Sequence, residues 1–254
     1  MKSFTRIAAA LTGAAIAFSP LTAAHAQARP AATEVIAKYV AAIGGQAEIM
    51  KVTSFKQLGT VSIPAQGISG TMEVMAAAPN KAASTTTIPG FGDIVQGFDG
   101  KSGWSLMPMQ GPRLLEGKEL EGMADASDFY GTLLYSPDRF STLETVGDTT
   151  INGEKAFIVK MVRKVSQQES RTYFSATTGL LIGSATTVQS QMGPMEMKQF
   201  VSAYKKFGAL SFPTKMTQES GPQKIELTIN DVLINGAPAS AFEAPAQVKA
   251  LIKP

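Results

Sequence analysis

Gly97-Phe98-Asp99-Gly100-Lys101-Ser102-Gly103-Trp104 is the stretch whose reading decides the fold. Its middle, Gly-Lys-Ser, is the tail of a phosphate-cradling P-loop, while Asp99-Gly100 between two apolar runs is a hairpin signal. A P-loop needs an earlier glycine, so that successive backbone N–H groups converge on a phosphate, and a helix that opens directly after the hydroxyl residue. Val95 stands where that glycine belongs, and Ser102 is followed by Gly-Trp-Ser-Leu-Met and then Pro108, which would break a helix. The stretch therefore reads as a β-hairpin, with glycine supplying the positive φ that a tight turn requires. Nucleotide binding is not expected.

Working outward, the same pattern recurs. From Thr53 the apolar period is two, and turn pairs such as Pro79-Asn80, Pro89-Gly90, Asn152-Gly153 and Gly221-Pro222 punctuate about twelve strands. Ile225, Leu227 and Ile229 alternate with Glu226, Thr228 and Asn230, as expected of a sheet with one apolar face. Two segments depart from this period. Ala31 to Ile43 spaces Val35, Ile36, Tyr39, Val40 and Ile43 as an amphipathic helix stopped by Gly44-Gly45. Gly117 to Tyr135 spaces Leu120, Met123, Tyr130, Leu133 and Leu134 as one or two short helices inserted after the first five strands. The expected fold is mainly β with α: a strongly curved antiparallel sheet covered by an N-terminal helix and a helical insertion.

The N-terminus reads as a cleavable export signal over residues 1–26. Lys2 and Arg6 precede an apolar run from Ile7 to Phe18, and Ala24-His25-Ala26 offers small residues for cleavage. Removal of 26 of the 254 residues leaves 228, read as a single domain over 27–254. It also lowers the formal charge from +3 to +1, because Lys2 and Arg6 leave with it. Such a balance gives little reason to bind nucleic acid. The chain has no cysteine, and its single histidine is His25. The mature chain thus lacks Ser-His and Cys-His dyads, the usual zinc ligands and a lipid-anchoring thiol. No metal, cofactor or catalytic residue is expected.

Four segments carry a family resemblance: the Phe98 to Trp104 hairpin, Thr178-Gly179-Leu180-Leu181, Phe212-Pro213, and Phe242-Glu243-Ala244-Pro245. Together they resemble the periplasmic lipoprotein carriers of the LolA/LolB type, the lipoprotein-sorting proteins of the outer membrane. The resemblance implies an incomplete β-barrel whose concave apolar face, covered by helices, holds acyl chains. It further implies an arginine that latches the lid, for which Arg113 in Gly111-Pro112-Arg113 is the candidate. The partners implied are a lipid or lipoprotein acyl chain and transient membrane-anchored donors or acceptors. The expected form is a periplasmic monomer, not lipid-anchored.

On this reading Phe55, Val61, Met72, Val74, Phe98, Trp104 and Leu106 line the cavity, with Leu120 and Met123 of the insertion as its cover. Each buried methylene contributes about 0.8 kcal/mol, so hydrocarbon binding needs no conspicuous polar group. Other readings compete. Met107, Met109, Met192, Met195 and Met197 are thioethers of the kind that ligate Cu(I), although unbranched methionine also fills irregular apolar walls. Glu116, Glu119, Glu121, Asp125 and Asp128 offer carboxylate pairs for glycoside hydrolysis, or simply the solvated face of a helix. A non-catalytic envelope sensor or protein-interaction domain is the alternative from a different class.

Overall fold

The computed structural model describes residues 29–190 and 193–251; the expected export signal and Met192 lie outside the described residues. Among the described residues two helices come first, α1 (Ala32–Ala42) and α2 (Gln46–Ile49). α1 buries Val35, Ile36 and Tyr39 along one face, as the helical spacing requires. It stops at Gly44, whose φ of 132° suits glycine and where an added Cβ would stand 2.6 Å from the Leu210 side chain.

Six strands follow: β1 (Ser54–Ile63), β2 (Ile68–Ala77), β3 (Lys81–Ile88), β4 (Gly92–Phe98), β5 (Gly103–Met107) and β6 (Gly111–Leu114). The insertion forms α3 (Gly117–Ala126) and α4 (Phe129–Leu134). Seven more strands complete the sheet: β7 (Phe140–Ile151), β8 (Glu154–Arg163), β9 (Glu169–Ser175), β10 (Leu181–Ser190), β11 (Gly193–Phe207), β12 (Leu210–Ser220) and β13 (Gln223–Ile234). A 3₁₀ turn (Ala239–Phe242) and α5 (Ala246–Lys249) follow.

β6 escapes the alternation pattern, so the insertion follows six strands rather than five. The strand is only four residues long and contains Pro112, which a ladder tolerates at a sheet edge. At Asp99 the hairpin is sealed by an Asx turn: Oδ1 accepts from the N–H groups of Lys101 (2.8 Å) and Ser102 (2.7 Å). Lys101 is exposed at the tip.

Among the described residues thirteen strands join one sheet in the order β6-β5-β4-β3-β2-β1-β13-β12-β11-β10-β9-β8-β7, with β6 and β7 at its edges. The sheet is strongly curved without closing into a barrel. α3 touches both β5 and β10, yet eight strand spacings separate these in the order, roughly 38 Å in a flat sheet. A helix of ten residues spans only about 15 Å. The sheet must therefore curl until its two halves face each other.

Two cores hold it. The larger packs α1 and Phe129 of α4 onto Val159, Met161, Phe174, Phe212, Ile229 and Val232 of the inner face. Its centre is aromatic: Tyr39 lies 5.4 Å from Phe174 and 5.6 Å from Tyr135 between ring centroids. The smaller lies on the outer face, where Trp104 is 1 % exposed beneath Ala244 and Val248 of the C-terminal segment.

Candidate functional site

Cross-strand partners in a pleated sheet point to the same side, so the pairing register assigns each side chain to a face. One inner row runs Phe98, Ala82, Ala76, Phe55, Ile234, and another runs Ile94, Thr86, Met72, Gly59, Ile229. A third runs Gly70, Val61, Leu227, Met216, Val201. Phe55, Met72, Val74 and Met216 are only half-buried along this face. An apolar floor is therefore continuous across the strands and incompletely covered by α1 and α4.

Of the residues expected to line a cavity, Phe55, Val61, Met72, Val74 and Phe98 share this face, and Val61 and Phe98 are fully buried there. Trp104 and Leu106 do not. Trp104 pairs with Gly97 and Leu106 with Val95, on the opposite side of the sheet from Phe98. The cause is the turn: it pairs Phe98 with Gly103, so the next residue after Gly103 points outward.

The floor also contains a neutral polar row that the alternation of apolar residues does not signal. Gln96, Ser84 and Gln57 flank Val74 in register, and Gln199 faces Gln218 across β11 and β12. Gln199 Nε2 donates to Met216 Sδ at 3.2 Å. Arg113, in register with Ser105, and Arg163, on the same side of β8 as Met161, stand on this face. Arg163 sits 4.7 Å above the Phe140 ring, and its buried Nη1 has no hydrogen-bond partner among the described residues.

The insertion divides into two functions. α4 is core: Phe129 is 2 % exposed, its ring lies 5.5 Å from that of Phe55, and its N–H donates to the Pro79 carbonyl at 3.0 Å. Asp128 caps α4 by accepting from Gly131 N–H at 3.1 Å, and its other oxygen lies 3.1 Å from Arg139 Nε. Tyr130 Oη donates to the Val52 carbonyl at 3.1 Å.

α3, by contrast, buries no residue fully. It is held at its ends. Arg113 forks onto Glu119, Nη1 to Oε2 at 2.7 Å and Nη2 to Oε1 at 3.1 Å, tying the first half to β6. Asp125 Oδ2 accepts from Ser166 N–H at 3.1 Å, tying the C-terminal turn to the β8–β9 hairpin. Leu120 reaches over Gly103 beside Leu115, where an added Cβ would stand 3.1 Å from each side chain. Leu120 and Met123 are half-buried, and Gly122 faces open space. α3 is thus a strap slung between the facing halves of the sheet.

Most of the remaining candidates have structural partners, while Glu116 is the exposed residue directly before α3. Glu121 pairs with Lys118 at 2.6 Å, and Glu119, Asp125 and Asp128 hold the strap and the cap described above. Among the described residues no group of three or more His, Cys, Asp or Glu is placed to hold a metal ion. Met107 lies on β5, Met109 is 84 % exposed in the following turn, and Met195 and Met197 lie on β11. A separate open groove of about 480 Å³ runs between α1 and the α4 end, lined by Ile36, Val40, Leu134 and Pro137. Among the described residues no helix is long and apolar enough to cross a membrane.

No protein-family profile and no curated protein sequence matches the chain. Solved structures do. A LolA superfamily protein from Nitrosomonas europaea superposes with a TM-score of 0.56 at 13% identity, covering 85% of this chain and 99% of that one. A DUF1329 family protein from Desulfovibrio piger gives 0.57 at 11% identity, covering 85% and 97%. An outer membrane lipoprotein-sorting protein domain from Vibrio parahaemolyticus gives 0.53 at 12% identity, covering 83% and 95%. With its open curved sheet, covering helices and strap, this chain has the LolA-like fold.

Proposed function

We propose that the protein is a soluble periplasmic carrier or binder of a lipid or lipoprotein acyl chain, folded as one domain over residues 27–254 and without catalytic activity. The observation that carries this reading is the half-buried apolar floor beneath a helix that buries none of its own residues. Phe55, Val61, Met72, Val74 and Phe98 supply the floor, and Leu120 and Met123 supply the movable cover. Hydrocarbon gains about 0.8 kcal/mol per buried methylene against such a surface, so some ten methylenes bring on the order of 8 kcal/mol before ordering costs. The neutral amides and hydroxyls of Gln57, Ser84 and Gln96 suit the ester or amide end of an acyl chain without fixing its identity. The lipoprotein-sorting description of one structural neighbour supports the same reading.

The decisive experiment is native mass spectrometry of protein taken directly from a periplasmic extract. A co-purifying lipid or lipoprotein mass is expected. Protein that is ligand-free in the extract and also fails to bind a fluorescent fatty acid after purification overturns the reading.

A further inference from the structure

We propose that four hairpin tips at one end of the sheet form a docking rim that seats the protein on a neutral lipid bilayer. The proposal deepens the carrier reading and rests on it for what passes across the rim. The hairpins β5–β6, β3–β4, β1–β2 and β12–β13 are consecutive along the sheet. Their tips read Met107-Pro108-Met109-Gln110-Gly111, Ile88-Pro89-Gly90-Phe91-Gly92, Ile63-Pro64-Ala65-Gln66-Gly67-Ile68 and Ser220-Gly221-Pro222-Gln223. None contains Asp, Glu, Lys or Arg. At the other end of the same strands the turns carry Lys81, Asp99 and Lys101. Along these strands the charge in the turns is thus confined to one end, whereas the β8–β9 tip, farther along the uncharged end, carries Lys164.

These tips are exposed and adjoin one another. Met109 is 84 % and Phe91 43 % exposed. An added Cβ at Gly92 would lie 3.1 Å from the Pro108 ring, so the two tips touch. Successive hairpins stand two strand spacings apart, about 10 Å, which gives a rim on the order of 30 Å long. Of the charges behind it, Asp93 accepts from Thr87 Oγ1 at 2.7 Å, Lys224 lies 3.4 Å from Glu226, and Glu219, beside Ser220, stands opposite Lys224 in the register.

Charge and continuity select the occupant. A rim without fixed charge offers nothing to an acidic or basic protein surface, whereas exposed Phe, Met and Pro in neutral turns match the interfacial zone of a bilayer. The rim also leads inward. Ile63, Ile68, Ile88, Ile94 and Met107 sit on the inner face just behind the tips, by register with Val61, Thr86 and Ser105. An acyl chain leaving the membrane across this edge meets apolar side chains all the way to Met72 and Val61.

The test is flotation of the mature protein with phosphatidylcholine vesicles, with and without phosphatidylglycerol, at low and high salt. Binding to phosphatidylcholine alone, unchanged by salt or anionic lipid, is expected. Phe91→Asp with Met109→Asp should lower the bound fraction tenfold or more, while Met50→Asp, on an exposed residue at the other end, should not. Phe91→Trp gives a second readout that leaves the fold undisturbed: its emission should shift to the blue on addition of vesicles, since Trp104 is already buried. Fluorescent fatty-acid binding measured without vesicles should survive the double substitution, which separates failure of the rim from failure of the carrier reading. Absence of flotation, a requirement for anionic lipid, unaltered flotation of the double variant, or self-association through the tips in place of vesicle binding each overturns the proposal.

Discussion

The indole of Trp104 lies across Gly97 on the neighbouring strand, so close that a Cβ on Gly97 would come within 2.4 Å of the ring. Glycine is required there by the shape of its neighbour, not by its own backbone conformation. Gly97→Ala is expected to cost about 1 to 3 kcal/mol, the usual price of overpacking a tight site. Denaturant melts would give the loss, and the emission of Trp104, the only tryptophan, would shift to the red as the C-terminal segment loosens. An unchanged midpoint would contradict the packing described.

The hairpin tip next to it makes a contrasting expectation. Lys101 contributes its backbone N–H to Asp99 and leaves its side chain in solvent, so Lys101→Ala should be neutral in stability. Asp99→Ala removes the acceptor of both turn N–H groups and should cost about 1 kcal/mol. Calorimetric titration with ATP should give no heat for either protein; binding abolished by Lys101→Ala would restore the phosphate-loop reading.

The strap should be the least protected helix. With only its ends tied, α3 is expected to exchange amide hydrogens faster than β13 in the empty protein and to slow when an acyl-chain ligand is present. Arg113→Ala removes a fork about a quarter exposed on either side, worth on the order of 1 kcal/mol, and should speed exchange in α3 while leaving β13 unchanged. Leu120→Asp with Met123→Asp should weaken fluorescent fatty-acid binding tenfold or more. Unaltered probe binding by a folded double variant would make α3 ordinary cover.

Alkaline pH should probe the aromatic core. Burial pushes the Tyr135 hydroxyl up to about 12, with the nearby Arg163 cation opposing, and burial raises Tyr39 and Tyr204 as well. A folded-state pKa above the unfolded value of about 10 means that the native state holds its proton more tightly. This contribution should thus be constant below pH 10 and be lost as pH rises towards 12, by roughly 3 kcal/mol for Tyr135 alone. Tyr135→Phe should flatten that decline in urea melts taken at successive pH values, and a decline unchanged by the substitution would place the titration elsewhere.

Much of this molecule follows from local pattern. The alternation of Ile225, Leu227 and Ile229, the Asp99-Gly100 turn and the spacing of Val35, Ile36 and Tyr39 each specify a strand, a hairpin and a helix, because backbone periodicity and turn chemistry act over a few residues. The absence of His and Cys from residues 27–254 is equally a property of the sequence. Tertiary structure decided the rest. Trp104 and Leu106 have the same apolar character as Phe98, and only the pairing across the turn sends them to the other face. β6 forms because an edge of the sheet accepts Pro112, which no local rule anticipates. Leu120 and Phe129 belong to one amphipathic insertion in sequence, yet one sits on a strap and the other in the core. Those outcomes depend on contacts between segments far apart in the chain, on the curl that brings β5 opposite β10, and a periodicity of two or 3.6 residues carries no record of them.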